Sequence, residues 1–219
     1  MRTCFQAVAA FGLVAALAGP AFAQGRGGPG GFGGGGVVQL IGNESVQKEL
    51  MLDETQVERA KALAADMREK MQALRPQLEG LQGEEAMTKR QELMKPINEE
   101  AMKTVDSFLK AEQMTRFKQI EVQQMGANAL THEAIAKKLS VTPEQKEKVT
   151  ALLADSRSQM RELFTSAGDD RQAAMQKVQA LRKETNEKAM ALMTEDQKKT
   201  WKEMTGEPFE VVQQPRPAR

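Results

Sequence analysis

Residues 52–74 read LDETQVERAKALAADMREKMQAL, and this stretch carries two signals of an α-helix. At its start, Asp53 stands three residues before Gln56, which is the spacing of a helix capping box. Along the rest of the stretch, apolar residues recur every three or four positions, a period typical of one buried helix face. These residues are Val57, Ala60, Ala64, Met67, Met71 and Leu74. The stretch therefore predicts a long amphipathic helix that begins with its own N-cap.

The same kind of start recurs as VTPEQ at 141–145 and MTEDQ at 193–197. In each start the cap oxygen is expected to accept from the amide three residues on, whose glutamine side chain bonds back to the cap amide. The predicted pairs are Asp53 with Gln56, Thr142 with Gln145, and Thr194 with Gln197. A fourth site, LKAEQ at 109–113, keeps Leu109 and Gln113 but has lysine at the cap position, which leaves its cap in question.

Between residues 43 and 206 the chain reads as two copies of one helical unit, 43–126 and 127–206. Val46, Leu50 and Gln56 match Ile135, Leu139 and Gln145 at an offset of 89, and Gln113 and Phe117 match Gln197 and Trp201 at an offset of 84. Each copy predicts a short helix, two long helices forming a hairpin, and a closing helix, with no convincing strand. The expected fold is all-α, built from tandem helical hairpins.

Prolines and glycines predict where these helices bend or end. The expected breaks are Pro76 and Pro96 as kinks in the first hairpin, Gly80 and Gly168 as hairpin bends, and Gly126 and Gly206 as helix C-caps. Proline lacks the amide that a helix interior needs, whereas glycine tolerates the left-handed conformation of a helix end.

The first 23 residues have the pattern of a cleaved export signal. Arg2 precedes an apolar run from Phe5 to Leu17, and a small-residue A-x-A site ends at Ala23. Cleavage is expected between Ala23 and Gln24, which removes the chain's one cysteine, Cys4, and gives an exported protein without a membrane anchor. Residues 24–42 contain a formal G-x-G-x-x-G, but no strand precedes it, so we expect a disordered glycine-rich tether. Residues 207–219 are expected to form a disordered tail.

The composition excludes several classes of function. The chain has 31 Lys and Arg against 30 Asp and Glu, so it is not a polycation that binds nucleic acid through phosphates. Aromatic residues are 4% of the chain and tyrosine is absent, which disfavours base-stacking platforms. The one histidine, His132, is expected to be a surface or capping residue, so neither a metal site nor a cofactor is expected. Acidic residues sit mainly in surface i,i+4 pairs, and we expect no enzymatic activity.

A repeated, apolar-led T-x-x-Q at helical-hairpin spacing, behind a signal peptide and with abundant methionine, resembles the LTxxQ motif of the Spy/CpxP family. These are small, all-helical periplasmic stress proteins, and the resemblance covers roughly residues 43–206. Family members usually carry two motifs and pair into a curved dimer. This chain carries the motif four times, counting the degenerate copy, and looks like two family units fused into a pseudo-dimeric cradle. Both a monomer and a homodimer remain open.

The resemblance implies ATP-independent chaperoning of unfolded or misfolded envelope proteins. Methionines supply adaptable apolar contacts, and interleaved arginines would attract acidic client segments. The candidate client-binding residues are Met67, Arg68, Met71, Arg75, Arg157, Met160, Arg161 and Phe164. The alternatives are a periplasmic metal or stress sensor that signals to a membrane protein, and a purely structural helical interaction module. The same apolar residues also fit a hairpin core.

Overall fold

The computed structural model describes residues 36–168 and 170–212, and this part of the chain is helical with no strand, which confirms the all-α fold class. The signal cleavage site at Ala23 and Gln24 lies outside the described residues. The helices are α1 (Gly36–Ile41), α2 (Glu44–Glu49), α3 (Glu54–Ala73), α4 (Arg75–Leu78), α5 (Gly83–Phe108), α6 (Ala111–Met125), a 3₁₀ helix (Gly126–Thr131), α7 (Glu133–Lys138), α8 (Pro143–Ser166), α9 (Arg171–Ala191) and α10 (Glu195–Thr205). We refer to residues 36–125 as unit one and residues 126–205 as unit two.

In each unit the two long helices pack against each other in opposite directions. In unit one, Gln56 near the start of α3 bonds to the Phe108 carbonyl at the end of α5, and Lys70 further along α3 meets Glu100. In unit two, the start of α8 meets the end of α9, and Ser156 meets Thr185 further along the pair. The short helices α2 and α7 precede these pairs, and α6 and α10 follow them.

The described residues bury two separate apolar clusters, one in each unit. The cluster of unit one centres on Val46, Val105, Phe117 and Ile120, each at most a fraction of a per cent exposed. The cluster of unit two is formed by α7 to α9 and the 3₁₀ helix together with Val122 of α6, and Trp201 and Met204 of α10 pack against it. Helices α6 and α10 lie against each other and join the two units. Both clusters lie near the ends of the long helices that carry the caps.

The structure corrects the predicted disordered tether 24–42 at its C-terminal end. Residues 36–41 form α1, whose Val37, Leu40 and Ile41 are buried in the cluster of unit one. The glycine run ends at Gly36, and burial of the apolar side chains that follow offsets the entropy lost on ordering. Residues 24–35 lie outside the described residues.

Helix α1 also belongs to the repeat, so the first copy begins at Gly36 and not at residue 43 as predicted. Gly36 and Leu40 match Gly126 and Leu130 of the 3₁₀ helix at an offset of 90 residues. Leu40 is 7% exposed and Leu130 is 2% exposed, so both leucines close the cluster of their own unit. Each unit therefore opens with a short helical segment that precedes α2 or α7.

The predicted disordered tail 207–219 is also wrong in its first part. Residues 207–212 run as an extended segment, which we call the strap, with Phe209 and Val211 packed against the cluster of unit one. Side chains of unit one bond to its backbone at several points, which gives an extended segment the partners that a helix would supply internally. Residues 213–219 lie outside the described residues.

The predicted breaks lie at helix ends, with one exception. Pro76 lies in the first turn of the short helix α4, where its missing amide costs no helical bond, whereas Pro96 lies inside α5. Gly126 and Gly206 are the C-caps of α6 and α10, with φ of 52° and 61°, as predicted. None of the described helices is both long enough and apolar enough to cross a membrane.

Candidate functional site

The three predicted capping boxes are confirmed. At the start of α3 the Asp53 Oδ1 accepts from the Gln56 amide at 2.9 Å, and the Gln56 Oε1 accepts from the Asp53 amide at 3.1 Å. Thr142 with Gln145 and Thr194 with Gln197 form the same pair of bonds at the starts of α8 and α10, at 2.9–3.2 Å. Each box satisfies two amides that a helix start leaves without partners.

The degenerate fourth motif keeps half of this arrangement. The Lys110 ammonium carries only donors, so it accepts nothing from the amides of α6. Gln113 still reaches back, and its Oε1 accepts from the Lys110 amide at 2.9 Å. The glutamine rather than the cap residue is thus the feature that all four sites share, which indicates that the glutamine has a further task.

That task is a contact between glutamines of different motifs, which we call a glutamine clasp. In unit one the Gln56 Nε2 donates to the Gln113 Oε1 at 2.7 Å, although the two residues lie 57 apart in sequence. In unit two the Gln145 Nε2 and the Gln197 Oε1 lie 2.9 Å apart. Each motif on its own indicates only a local cap. Nothing in the sequence indicates that Gln56 contacts Gln113 of the degenerate motif.

Each clasp also bonds to the backbone of neighbouring elements. Gln56 donates to the Phe108 carbonyl at 2.7 Å, and Gln145 donates to the Leu192 carbonyl at the same distance. Gln113 donates to the carbonyl of Leu50 at 3.0 Å, which joins the end of α2 to the start of α6. With both donors and both acceptor positions used, Gln56 is a fully satisfied amide although only 5% of it is exposed.

The chain turns sharply just before each clasp. Met51 and Ser140 both adopt the left-handed conformation, with φ of 49° and 52°, at matching positions of the two units. The next residues, Leu52 and Val141, donate back to the carbonyls of Gln47 and Ala136 at 3.0 and 2.9 Å, which is the pattern of a Schellman helix end. Met51 is 84% exposed. The motif thus builds the joint between short and long helices, and its role is structural.

The candidate client-binding residues divide into a buried one and accessible ones. Met67 is 5% exposed and belongs to the cluster of unit one, so its assignment as a client contact is wrong. It lies on the part of α3 that packs into this cluster, a fact that the apolar stripe alone does not reveal. Met71, one turn further along α3, is half-buried and outside that cluster.

The remaining candidates lie beyond the clusters, towards the ends of the helix pairs that face away from the caps. Met160 and Phe164 of α8 are half-buried, and Arg157 and Arg161 on the same helix are exposed. On α3 and α4, Arg68 and Arg75 are also exposed, on either side of Met71. Among the described residues none of these four arginines forms an ion pair.

The structure adds residues to this set that the sequence analysis did not propose as client contacts. Further half-buried apolar side chains of the same regions lie outside both clusters: Leu74, Leu78, Leu81 and Leu93 in unit one, and Leu163, Met175 and Leu181 in unit two. We call these side chains, with Met71, Met160, Phe164 and the four arginines, the far-end surfaces. Their signal in the sequence is that the apolar stripe continues past the two clusters, into regions where Met94, Ala174 and Val178 are also buried.

The titratable side chains of the described residues are not arranged as a metal site. His132 is exposed at the start of α7, and among the described residues no three His, Cys, Asp or Glu side chains are grouped as metal ligands would be. Burial raises the pKa of Glu121 on α6, and Lys118 offsets part of this rise. An open cleft of about 260 Å³ lies beside the clasp of unit one, between Arg59 and Lys110.

Comparison with known proteins adds no relative: no family model, no curated protein and no solved structure matches the chain. The likeness to the LTxxQ proteins therefore depends on the motif residues themselves. In the structure these residues do the same job in both units.

Proposed function

We propose that the protein is an ATP-independent periplasmic chaperone that holds unfolded envelope proteins on its far-end surfaces. The observation that carries the proposal is that both helix pairs extend past their buried clusters with half-buried methionine, leucine and phenylalanine side chains, beside arginines that form no ion pair among the described residues. A helix pair built only for stability would bury these side chains or replace them with polar ones.

The side-chain chemistry suits clients without a common sequence. Methionine is unbranched and polarisable, so it adapts to many apolar shapes, and Met71, Met160 and Met175 lie on these surfaces. The exposed guanidiniums of Arg68, Arg75, Arg157 and Arg161 attract acidic segments from a distance and donate hydrogen bonds on contact. Together these groups favour partly apolar, acid-bearing unfolded chains over compact proteins.

The tandem arrangement is part of the same proposal. Two units with matching clasps carry two far-end surfaces in one chain, which corresponds to the two halves of the cradle that the family resemblance implies. A client that reached both surfaces would gain from the second contact without a second binding event from solution. The proposed address is the periplasm, reached after cleavage between Ala23 and Gln24.

Suppression of client aggregation tests the proposal. Protein starting at Gln24 would be added, without ATP, to a chemically denatured client as the client is diluted, and light scattering would be followed at sub-stoichiometric and equimolar ratios. We expect suppression by the wild type and clear loss in Arg157→Glu/Arg161→Glu, because these exposed arginines support no fold contact among the described residues.

A charge-matched control separates the site from overall charge. Lys146→Glu/Lys199→Glu changes the net charge by the same amount at exposed positions of α8 and α10 near the caps, and it is expected to suppress aggregation like the wild type. Met160→Asp, with helicity checked by circular dichroism, tests the apolar part. Equal loss in the control pair, or no suppression by the wild type at several-fold excess, contradicts the proposal.

A further inference from the structure

The strap, residues 207–212, is held by side chains of unit one that bond to its backbone. Gln123 of α6 grips it on both sides of Pro208: its Nε2 donates to the Glu207 carbonyl at 2.8 Å, and its Oε1 accepts from the Phe209 amide at 2.9 Å. Arg116, two turns earlier on α6, donates to the same Glu207 carbonyl at 2.9 Å. These contacts read the backbone of an extended segment rather than one particular sequence.

The other end of the strap is held at the start of α2. The Ser45 Oγ accepts from the Val212 amide at 3.1 Å, and the Asn43 Nδ2 donates to the Val212 carbonyl at 2.8 Å. Asn43 is at the same time the N-cap of α2, because its Oδ1 accepts from the Ser45 amide. Asn43 therefore both caps α2 and binds the end of the strap.

Side chains of the strap add specificity. Phe209 and Val211, two residues apart, pack against the cluster of unit one. The Arg116 guanidinium lies 6.0 Å from the centre of the Phe209 ring, and it is held by Glu49 at 2.7 Å. A guanidinium held against an aromatic ring adds a cation–π attraction. A peptide with an aliphatic residue at this position would lack that attraction. We call the surface formed by Asn43, Ser45, Arg116 and Gln123 the seat.

The residues of the seat are not part of what the two units have in common. At the matching positions of unit two stand His132 for Asn43, Ala134 for Ser45 and Thr200 for Arg116. None of these reproduces the pair of bonds that Asn43 and Ser45 give to Val212. The seat is therefore specific to unit one, although the helices that carry it are common to both units.

The strap is attached in a way that allows it to leave. It follows Gly206, which ends α10 with φ of 61°, and its backbone bonds go to side chains of unit one rather than into the backbone ladder of a helix. Most of its residues are exposed, Val212 at 55%, and both side chains that it buries are only half-buried. Releasing the strap exposes one groove and leaves the clasps and capping boxes in place.

We propose that the seat is a binding groove for an extended peptide that carries an aromatic and an aliphatic residue two positions apart, and that the strap is its built-in occupant. The sequence of the strap, EPFEVV at 207–212, defines this chemistry. A second peptide enters when the strap leaves, so the strap sets the threshold for binding. The groove lies on α2 and α6, and the proposal does not depend on the far-end surfaces.

The test uses the full chain with an opened seat, Phe209→Asp/Val211→Asp, and a fluorescently labelled peptide GEPFEVV corresponding to residues 206–212. Fluorescence anisotropy is expected to show binding to the opened chain that is roughly tenfold or more tighter than binding to the wild type, because the wild-type seat is occupied. Arg116→Ala in the opened chain, or alanine for phenylalanine in the peptide, is expected to abolish the difference. Equal binding to the wild type, or no binding to an opened chain with native circular dichroism, overturns the proposal.

Hydrogen exchange of the wild type keeps the proposal testable if the opened chain does not fold. The amides of Phe209 and Val212 are expected to exchange roughly tenfold or more faster than those of Phe117 and Ile120 in α6, because the strap opens without the helices. Equal protection of both sets would mean that the strap leaves only on global unfolding, which contradicts the proposal. A wild-type dimer that Phe209→Asp/Val211→Asp disperses would assign the seat to the strap of a second copy and also overturn it.

Discussion

The two units fill the same position of the same frame with opposite chemistry. In unit one this position holds Met67 of α3 and Ile97 of α5; Met67 is 5% exposed and Ile97 packs against the same cluster. At the matching positions of unit two stand Ser156 and Thr185, 4% and 5% exposed, with their hydroxyl oxygens 3.0 Å apart. The Thr185 hydroxyl also donates to the Leu181 carbonyl at 2.7 Å, so neither buried polar group is left without a partner.

This difference shows which features define the frame. The glutamine clasps are the same in both units, and the four glutamines all bond back to their cap amides, whereas the residues between the long helices differ. A satisfied hydroxyl pair and an apolar pair are both compatible with one backbone arrangement, because each fills the space without an unpaired polar group. The motif residues therefore define the joints, and the core of each unit adapts to them.

The largest effect is expected where the apolar version of this contact is removed. Met67→Ala in unit one should lower the free energy of unfolding by about 3 kcal/mol, through lost burial and the cavity left behind. Met71→Ala, one turn further along α3 but half-exposed and outside the cluster, should cost well under half of that. Urea denaturation measures both, and equal losses would mean that the far-end surface of unit one belongs to the core.

A smaller loss is expected on breaking a clasp. Gln56→Leu leaves the Phe108 carbonyl, the Asp53 backbone amide and the Gln113 side-chain carboxamide without their Gln56 partner, at a cost of about 2 kcal/mol. Gln145→Leu should cost a similar amount in unit two, since its bonds match. The exposed Gln72 of α3 offers the control, because Gln72→Leu touches no clasp and should change stability by less than about 0.5 kcal/mol. A clasp variant as stable as this control would disprove the role of the clasp.

The hydroxyl pair should be destabilised less by double substitution than by the single substitution Ser156→Ala. Ser156→Ala alone is expected to cost about 1 kcal/mol, because Thr185 loses a buried partner. Ser156→Ala/Thr185→Val removes both hydroxyls, leaves the Leu181 carbonyl in its own helix, and should recover most of that loss. Thermal unfolding of Ser156→Ala, Thr185→Val and the double variant gives the coupling free energy between the two residues. A loss in the double variant equal to the sum of the single losses would show that the two hydroxyls do not act as a pair.

The smallest effect concerns position 121, which unit two fills with the buried Thr205. Burial raises the pKa of Glu121, so the folded state holds its proton at a pH where the unfolded chain has released it. The contribution of Glu121 to stability therefore falls as pH rises from its ordinary value of 4.5 through the raised pKa. Glu121→Gln should raise the melting temperature near pH 7. Below about pH 4 it should leave the melting temperature nearly unchanged, because Glu121 is then mostly protonated in both the folded and the unfolded state.

The matched control for this titration is Glu203→Gln on the exposed face of α10. It should shift the melting temperature little at either pH. A Glu121→Gln variant that is destabilised near neutral pH would show that the carboxylate is stabilised in the fold and that burial does not dominate.

The sequence was sufficient for the features that depend on neighbours along the chain. The all-α class, the three capping boxes and the glycine C-caps at Gly126 and Gly206 follow from local spacing, and all are confirmed. Local spacing could not separate Met67 from Met71, because both lie on one stripe and only the extent of the covering helices distinguishes them. It could not pair Gln56 with Gln113, because that contact joins two motifs across a whole helix pair.

Helix α1 and the strap were missed for a different reason. Glycine before α1 and proline in the strap are typical of disordered segments, yet in both cases a few apolar side chains reach the cluster of unit one. The average composition of a segment does not reveal these few side chains, whereas the order of the segment depends on whether they reach the cluster. The match of Gly36 and Leu40 to Gly126 and Leu130 was the available signal for α1.

Photo-crosslinking to an unfolded client tests the central claim most directly. A photoreactive amino acid would replace Phe164 on the far-end surface of unit two, Lys146 near the cap of the same helix, or the exposed Met51 beside the clasp of unit one. With a denatured client and no ATP, position 164 is expected to give strong crosslinks and the other two positions weak ones. Equal crosslinking at all three positions, or strong crosslinking at Met51 alone, would contradict client binding on the far-end surfaces.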